Sequence, residues 1–172
     1  MPFLLHFVNK NRWVGQGELT WVGDNDVPAD PVTNLRTTDN ELSVWDVAEG
    51  DEELIQRLVA AFAAVRAKVD KIDYLLLSTD TVQRLGMRLI RERGTGLPDK
   101  EICASHHMNL TELTGKSVCA LVREILLSPR LRRIGPPGVA ACLRQSIEAG
   151  HISEDTLSPK VRDGIAKHAP QS

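Results

Sequence analysis

The sequence predicts a single α+β domain: a small antiparallel or mixed sheet of about four strands, packed by two helices and followed by a C-terminal helical subdomain. Three observations lead there. Aromatic residues concentrate before Gly50 (Phe3, Phe7, Trp13, Trp21 and Trp45), only Phe62 and Tyr74 follow, and none lies beyond Tyr74. The hydrophobic period changes after Gly50 from strand-like to helical. With 172 residues, 42% of them hydrophobic and 26% charged, the chain has ordinary globular usage and enough apolar surface for one core. It divides into a β-rich acidic part (1–50), a helix–strand–helix part (51–100) and a helical part (101–172).

Residues 3–8, 19–22 and 42–47 are short, rich in β-branched or aromatic side chains, and separated by polar or glycine-containing stretches, which predicts strands of a meander. The intervening stretch from 23 to 40 carries two prolines, four aspartates and three asparagines, so it is expected as a surface loop ordered by turns. Asp51 is a good N-cap, Glu52 and Glu53 suit a first turn, and Leu54, Leu58, Phe62, Val65 and Val69 recur on one face; a helix over 51–69 follows. The continuous apolar run at 72–78 has the character of a central strand covered on both faces. A second helix is expected over 79–93, with Val82, Leu85, Leu89 and Ile90 inward. Arg84, Arg88 and Arg91 then fall at i, i+4 and i+7, a stripe able to bind an anion or simply to face solvent.

The stretch ICASHHMNLTELTGKSVCALV (102–122) is the densest in chemistry-bearing side chains. Asn109 with Glu112 fits a helix-capping pattern, with Val118, Leu121, Val122 and Ile125 on the buried face. The GKS tripeptide lacks the earlier glycine of a phosphate-binding loop, whose position holds Leu110, and is expected one to two turns inside that helix. Cys103 and His106 have a spacing seen in zinc sites, with His107 adjacent. No second ligand pair accompanies them, so no metal and no cofactor are expected. If the chain is an enzyme, His106 and His107, with Cys103, are the candidates for acid/base, nucleophilic or anion-binding roles; otherwise the histidines contact neighbouring backbone. Beyond them, a basic segment and a Gly-Pro-Pro-Gly turn lead into a helix over 139–149 with Cys142 inward, and a short terminal helix follows. That turn is too rich in proline for helix-turn-helix geometry.

Charge narrows the function. Residues 1–75 hold seven Lys and Arg against thirteen Asp and Glu, a net −6, whereas residues 76–150 hold eleven against seven, a net +4. The basic half contains no aromatic ring, which argues against a groove for single-stranded nucleic acid. The apolar run at 3–8 has no basic residue before it and is too short for a signal peptide or a membrane span, so the cytoplasm is the expected location. Three scattered cysteines form no disulfide framework. The leading expectation is therefore a non-enzymatic protein-interaction or regulatory module of a larger, bacterial-type assembly. Its partner would be another protein, meeting the acidic N-terminal half through Asp24, Asp26, Asp30 and Trp21. A small hydrolase or transferase using His106 and His107 is the alternative, and a nucleic-acid-binding regulator the third.

Overall fold

The computed structural model describes residues 2–13, 26–35, 37–94, 96–127 and 130–169. The chain forms two compact units, each assembled from three separated segments: Met1–Glu49, Asp73–Glu92 and His107–Arg132 in the first, and Gly50–Ile72, Arg93–His106 and Arg133–Ser172 in the second.

The strands, all but the first residue of β3 and the last two of β6 belonging to the first unit, form a six-stranded sheet with the order β4-β5-β2-β1-β3-β6. The strands are β1 (Pro2–Val8), β2 (Leu42–Ala48), β3 (Ile72–Ser78), β4 (Arg88–Arg91), β5 (His107–Thr111) and β6 (Leu131–Ile134). The chain is thus α+β as expected, with six strands where about four were predicted. β1 pairs antiparallel with both β2 and β3, β5 pairs antiparallel with β2 and β4, and β3 lies inside the sheet between β1 and β6. The strand expected at 19–22 lies outside the described residues.

Residues paired in register share a face. One face therefore carries Leu4, Leu42, Val44, Leu75, Leu77 and Leu110, all fully or almost fully buried. These join Trp13, Leu35, Val82, Leu113 and the inward side of α5 (Gly115–Leu127), namely Val118, Leu121, Val122 and Ile125, in one core. The irregular stretch from 23 to 40 contains a short helix, α1 (Ala29–Asn34), and Trp13 Nε1 donates to Asn34 Oδ1 at 2.8 Å.

Two helical expectations are corrected. In place of one helix over 79–93, α3 (Thr79–Arg84) stops at Leu85, Gly86 adopts φ +67, and the chain turns back as β4. A positive φ is at home in glycine and ends the helical run. The second correction concerns Asn109, which is not a helix cap but the middle of β5. α5 begins six residues later, where Thr114 and Ser117 close a reciprocal cap: Thr114 N–H donates to Ser117 Oγ at 2.8 Å and Ser117 N–H to Thr114 Oγ1 at 3.2 Å. The GKS tripeptide therefore opens the helix rather than lying inside it.

The second unit is helical: α2 (Glu52–Ala64), α4 (Lys100–Ser105), α6 (Pro136–Glu148) and α7 (Pro159–Lys167). The Asp51 side chain caps α2 by accepting from Leu54 N–H at 3.0 Å, as its sequence predicts, but the helix ends at Ala64, and Val65 is 55% exposed instead of inward. Alanines at 60, 61, 63 and 64 keep α2 thin, and it packs against α6. Arg144 donates to the carbonyls of Ile165 and His168, occupying acceptors at the C-terminal end of α7.

Gly164 in α7 sits so close to Val69 that an added Cβ would lie 2.6 Å from Cγ2 and 2.7 Å from Cβ of that valine. Helix propensity alone would make Gly164→Ala stabilising by about 1 kcal/mol. The overlap costs about 1–3 kcal/mol, so the variant is expected to be less stable than wild type in urea denaturation. A more stable variant would show that α7 is not seated on Val69.

Candidate functional site

The opposite face of the sheet is mixed in character. Register places Ser43 of β2 opposite Asn109 of β5, and Asn109 opposite Ile90 of β4, in one row across three strands. The adjacent row sets Leu5 opposite Trp45 and Trp45 opposite His107. His107, Asn109 and Thr111 alternate with Met108 and Leu110 along β5, so the three polar side chains share this face while Leu110 enters the core.

Two carboxylates meet over this row. Asn109 Nδ2 donates both of its hydrogens, to Glu41 Oε2 at 2.8 Å and to Glu92 Oε2 at 3.0 Å, and its Oδ1 accepts from Ser43 Oγ at 3.3 Å. Glu41 is delivered by a tight turn in which Thr38 and Glu41 exchange backbone hydrogen bonds of 3.0 and 2.8 Å. Its central residues, Asp39 and Asn40, have φ of 52 and 62, the left-handed pair that a type I′ turn requires. Leu113 N–H donates to the Asn40 carbonyl at 2.9 Å and ties the turn to the end of β5, where Glu112 has φ 59. Asp39, Asn40 and Glu112 are the non-glycine residues with positive φ among the described residues, and such strain tends to gather where function holds it in place.

His107 is 8% exposed, and its Nδ1 lies 2.9 Å from the Glu92 carbonyl oxygen. A carbonyl only accepts, so Nδ1 carries the proton and a neutral ring keeps its lone pair on Nε2. The ring meets Trp45 edge-on at 5.5 Å between centroids, and Trp45 meets Phe7 in the same manner at 5.5 Å. Two buried polar atoms on this face, Trp45 Nε1 and Thr111 Oγ1, have no hydrogen-bond partner among the described residues.

Of the residues expected to carry chemistry, His107 alone joins this cluster. Cys103 is a buried residue of α4 whose Sγ donates weakly to the Leu97 carbonyl at 3.9 Å, and His106 closes the same helix, its N–H donating to Ile102 O. Both belong to the second unit. Burial pushes the Cys142 thiol up, away from the thiolate form a nucleophile requires. Among the described residues no group of three or more His, Cys, Asp or Glu side chains is placed to hold a metal ion, and no helix is long and apolar enough to cross a membrane.

The arginine stripe takes a different form from the one expected. Arg84 grips both oxygens of Glu124 at 3.0 and 2.7 Å, and this hydrogen-bonded pairing holds the Glu124 carboxyl below its ordinary range. Arg88 meets Glu112 at 2.8 Å and Arg91 meets Asp46 at 3.0 Å. Arg88 and Arg91, three apart on a strand, point to opposite faces. Positive side chains on the edge strand β4 also discourage a second chain from pairing there.

Among the interaction candidates, Asp26 is exposed, Asp30 is ion-paired to Arg12 at 2.9 Å, and Trp21 and Asp24 lie outside the described residues. The fold also mixes the charge that is divided along the chain. The first unit holds ten Lys and Arg against thirteen Asp and Glu, a net −3, and the second eleven against ten, a net +1. Glu41 and Glu92 come from distant parts of the chain, and only the alternation of His107, Asn109 and Thr111 with apolar neighbours marks their meeting place in the sequence. Comparison with protein-family models, curated proteins and solved structures found no match.

Proposed function

We propose that this chain is a non-enzymatic interaction module of a larger assembly, and that its partner is a protein presenting basic side chains to the first unit. One observation carries the reading. The arginines of α3 and β4 are each matched by a carboxylate, and Arg12 by Asp30, whereas Asp39, Glu41 and Glu92 make no ion pair among the described residues. Of these three carboxylates, Glu41 from the turn before β2 and Glu92 from the chain following β4 are brought together at Asn109, so their negative charge is concentrated there. One-signed patches of this kind speed and orient encounter with a complementary surface.

Affinity capture with the tagged chain from its native host tests this. A stoichiometric basic partner should be retained at about 0.05 M salt and released at about 0.5 M, where screening acts within a few ångströms. A triple variant, D39N/E41Q/E92Q, should melt like wild type and lose that partner. A wild-type chain that stays a solitary monomer in native extract, or equal retention by the variant, would sink the proposal.

A further inference from the structure

Resting on the reading of the chain as an interaction module, we infer that Glu41, Glu92 and Thr111 form a receptor for one arginine side chain of the protein partner. Both carboxylates are held within hydrogen-bond distance of the single nitrogen Asn109 Nδ2. Two like charges brought together over one neutral amide repel each other, and a cation placed between them relieves that repulsion.

Thr111 supplies an independent indication. It is 6% exposed, its Oγ1 has no partner among the described residues, and its place in β5 directs the side chain to the same face as Asn109, two residues away. A buried hydroxyl without a partner is costly, and an N–H donor arriving from a ligand removes the cost. Arg88, cross-strand from Thr111, is engaged instead by Glu112.

The number of acceptors on this face favours guanidinium over ammonium. A guanidinium is planar and offers five N–H donors in a fixed fork, more than one for each of the three acceptor groups Glu41, Glu92 and Thr111, whereas an ammonium offers three donors around a point charge. Ser43, small and exposed, is paired in register with Asn109, and the half-buried ring of Phe7 meets Trp45 edge-on. The apolar stem of the incoming side chain would lie over the exposed Ser43.

The test uses the full chain and two capped amino acids, N-acetyl-arginine amide and N-acetyl-lysine amide, titrated while the side-chain amide signals of Asn109 are followed by NMR. The arginine probe should shift those signals saturably, and the lysine probe should bind several-fold more weakly. E41Q/E92Q should weaken arginine binding by about tenfold or more, and the isosteric T111V by about threefold, with melting temperatures near wild type. Absence of a saturable shift, an equal response to lysine, or undiminished binding by E41Q/E92Q would overturn the receptor. The two proposals fail separately. A silent arginine probe together with partner retention that still depends on Glu41 and Glu92 removes the arginine receptor and leaves the interaction module. Saturable arginine binding by a chain that retains no partner does the reverse.

Discussion

Leu110→Ala is expected to lower the free energy of unfolding by about 3–4 kcal/mol, in the upper part of the range for buried leucines. Leu110 is completely buried, belongs to the core formed with Val44, Leu121 and Val122, and is paired in register with both Leu42 and Leu89. Strands on either side and α5 above restrict collapse of the cavity, so both the transfer term and the cavity term are felt. Leu110→Met keeps most of the volume and should cost less than about 1.5 kcal/mol. Urea denaturation measures both, and an unchanged m-value confines the difference to stability. A loss below about 1 kcal/mol for the alanine variant would contradict the placement of β5 inside the sheet. It would favour the alternative in which Asn109 to Glu112 begins a helix and Leu110 lies on its first turn.

Asp99→Ala is expected to cost about 3 kcal/mol, the sum of a lost helix cap and a broken, largely buried ion pair. The Asp99 side chain is 3% exposed. One oxygen accepts from Ile102 N–H at 3.1 Å at the start of α4, and the other accepts from Arg57 Nε and Nη2 at 3.3 and 3.0 Å. The Arg57 side chain is 20% exposed and keeps Glu101 at 2.9 Å, which is why the expected cost stays below that of stranding a wholly buried charge. Asp99→Asn can retain the cap through its remaining oxygen while losing the charge, and should cost about half as much. Equal destabilisation by the two variants would assign the whole effect to the ion pair and none to the cap. No effect from either would remove Asp99 from the interior of the second unit.

The elements that were legible in the sequence are those whose own residues decide them. In β1 and β2 the apolar and aromatic residues alternate or cluster over a strand's length. Asp51 caps α2 through its own side chain, and the proline pair after Gly135 opens α6 at its first positions. The missed strands were hidden by coincidences of spacing. Arg84, Arg88 and Arg91 match a helical face, but the chain reverses at Gly86, whose left-handed conformation weighs more than the periodicity around it. Asn109 and Glu112 match a capping pattern, but the pairing of Asn109 with Ser43 and of Leu110 with Leu42 holds this segment in the sheet. Tertiary pairing overrides local preference most easily in short segments such as these.

The candidate site was legible only at His107. Its other members are 17 and 68 residues from Asn109 along the chain and meet it through strand pairing, which no local pattern announces. The charge division, −6 against +4, was a true property of the sequence but a poor guide to surface. Three chain segments build each unit, and the contrast falls to −3 against +1. What the fold brings together is the pair Glu41 and Glu92, which make no ion pair among the described residues, and the functional proposal rests on that pair.

The dissociation constant of the captured partner, compared between wild type and E41Q/E92Q by titration at several salt concentrations, tests this most directly. The proposal predicts that the variant binds at least about tenfold more weakly at low salt, and that the difference shrinks as salt rises and screens the wild-type interaction. Equal dissociation constants at every salt concentration, with both proteins folded, would contradict it.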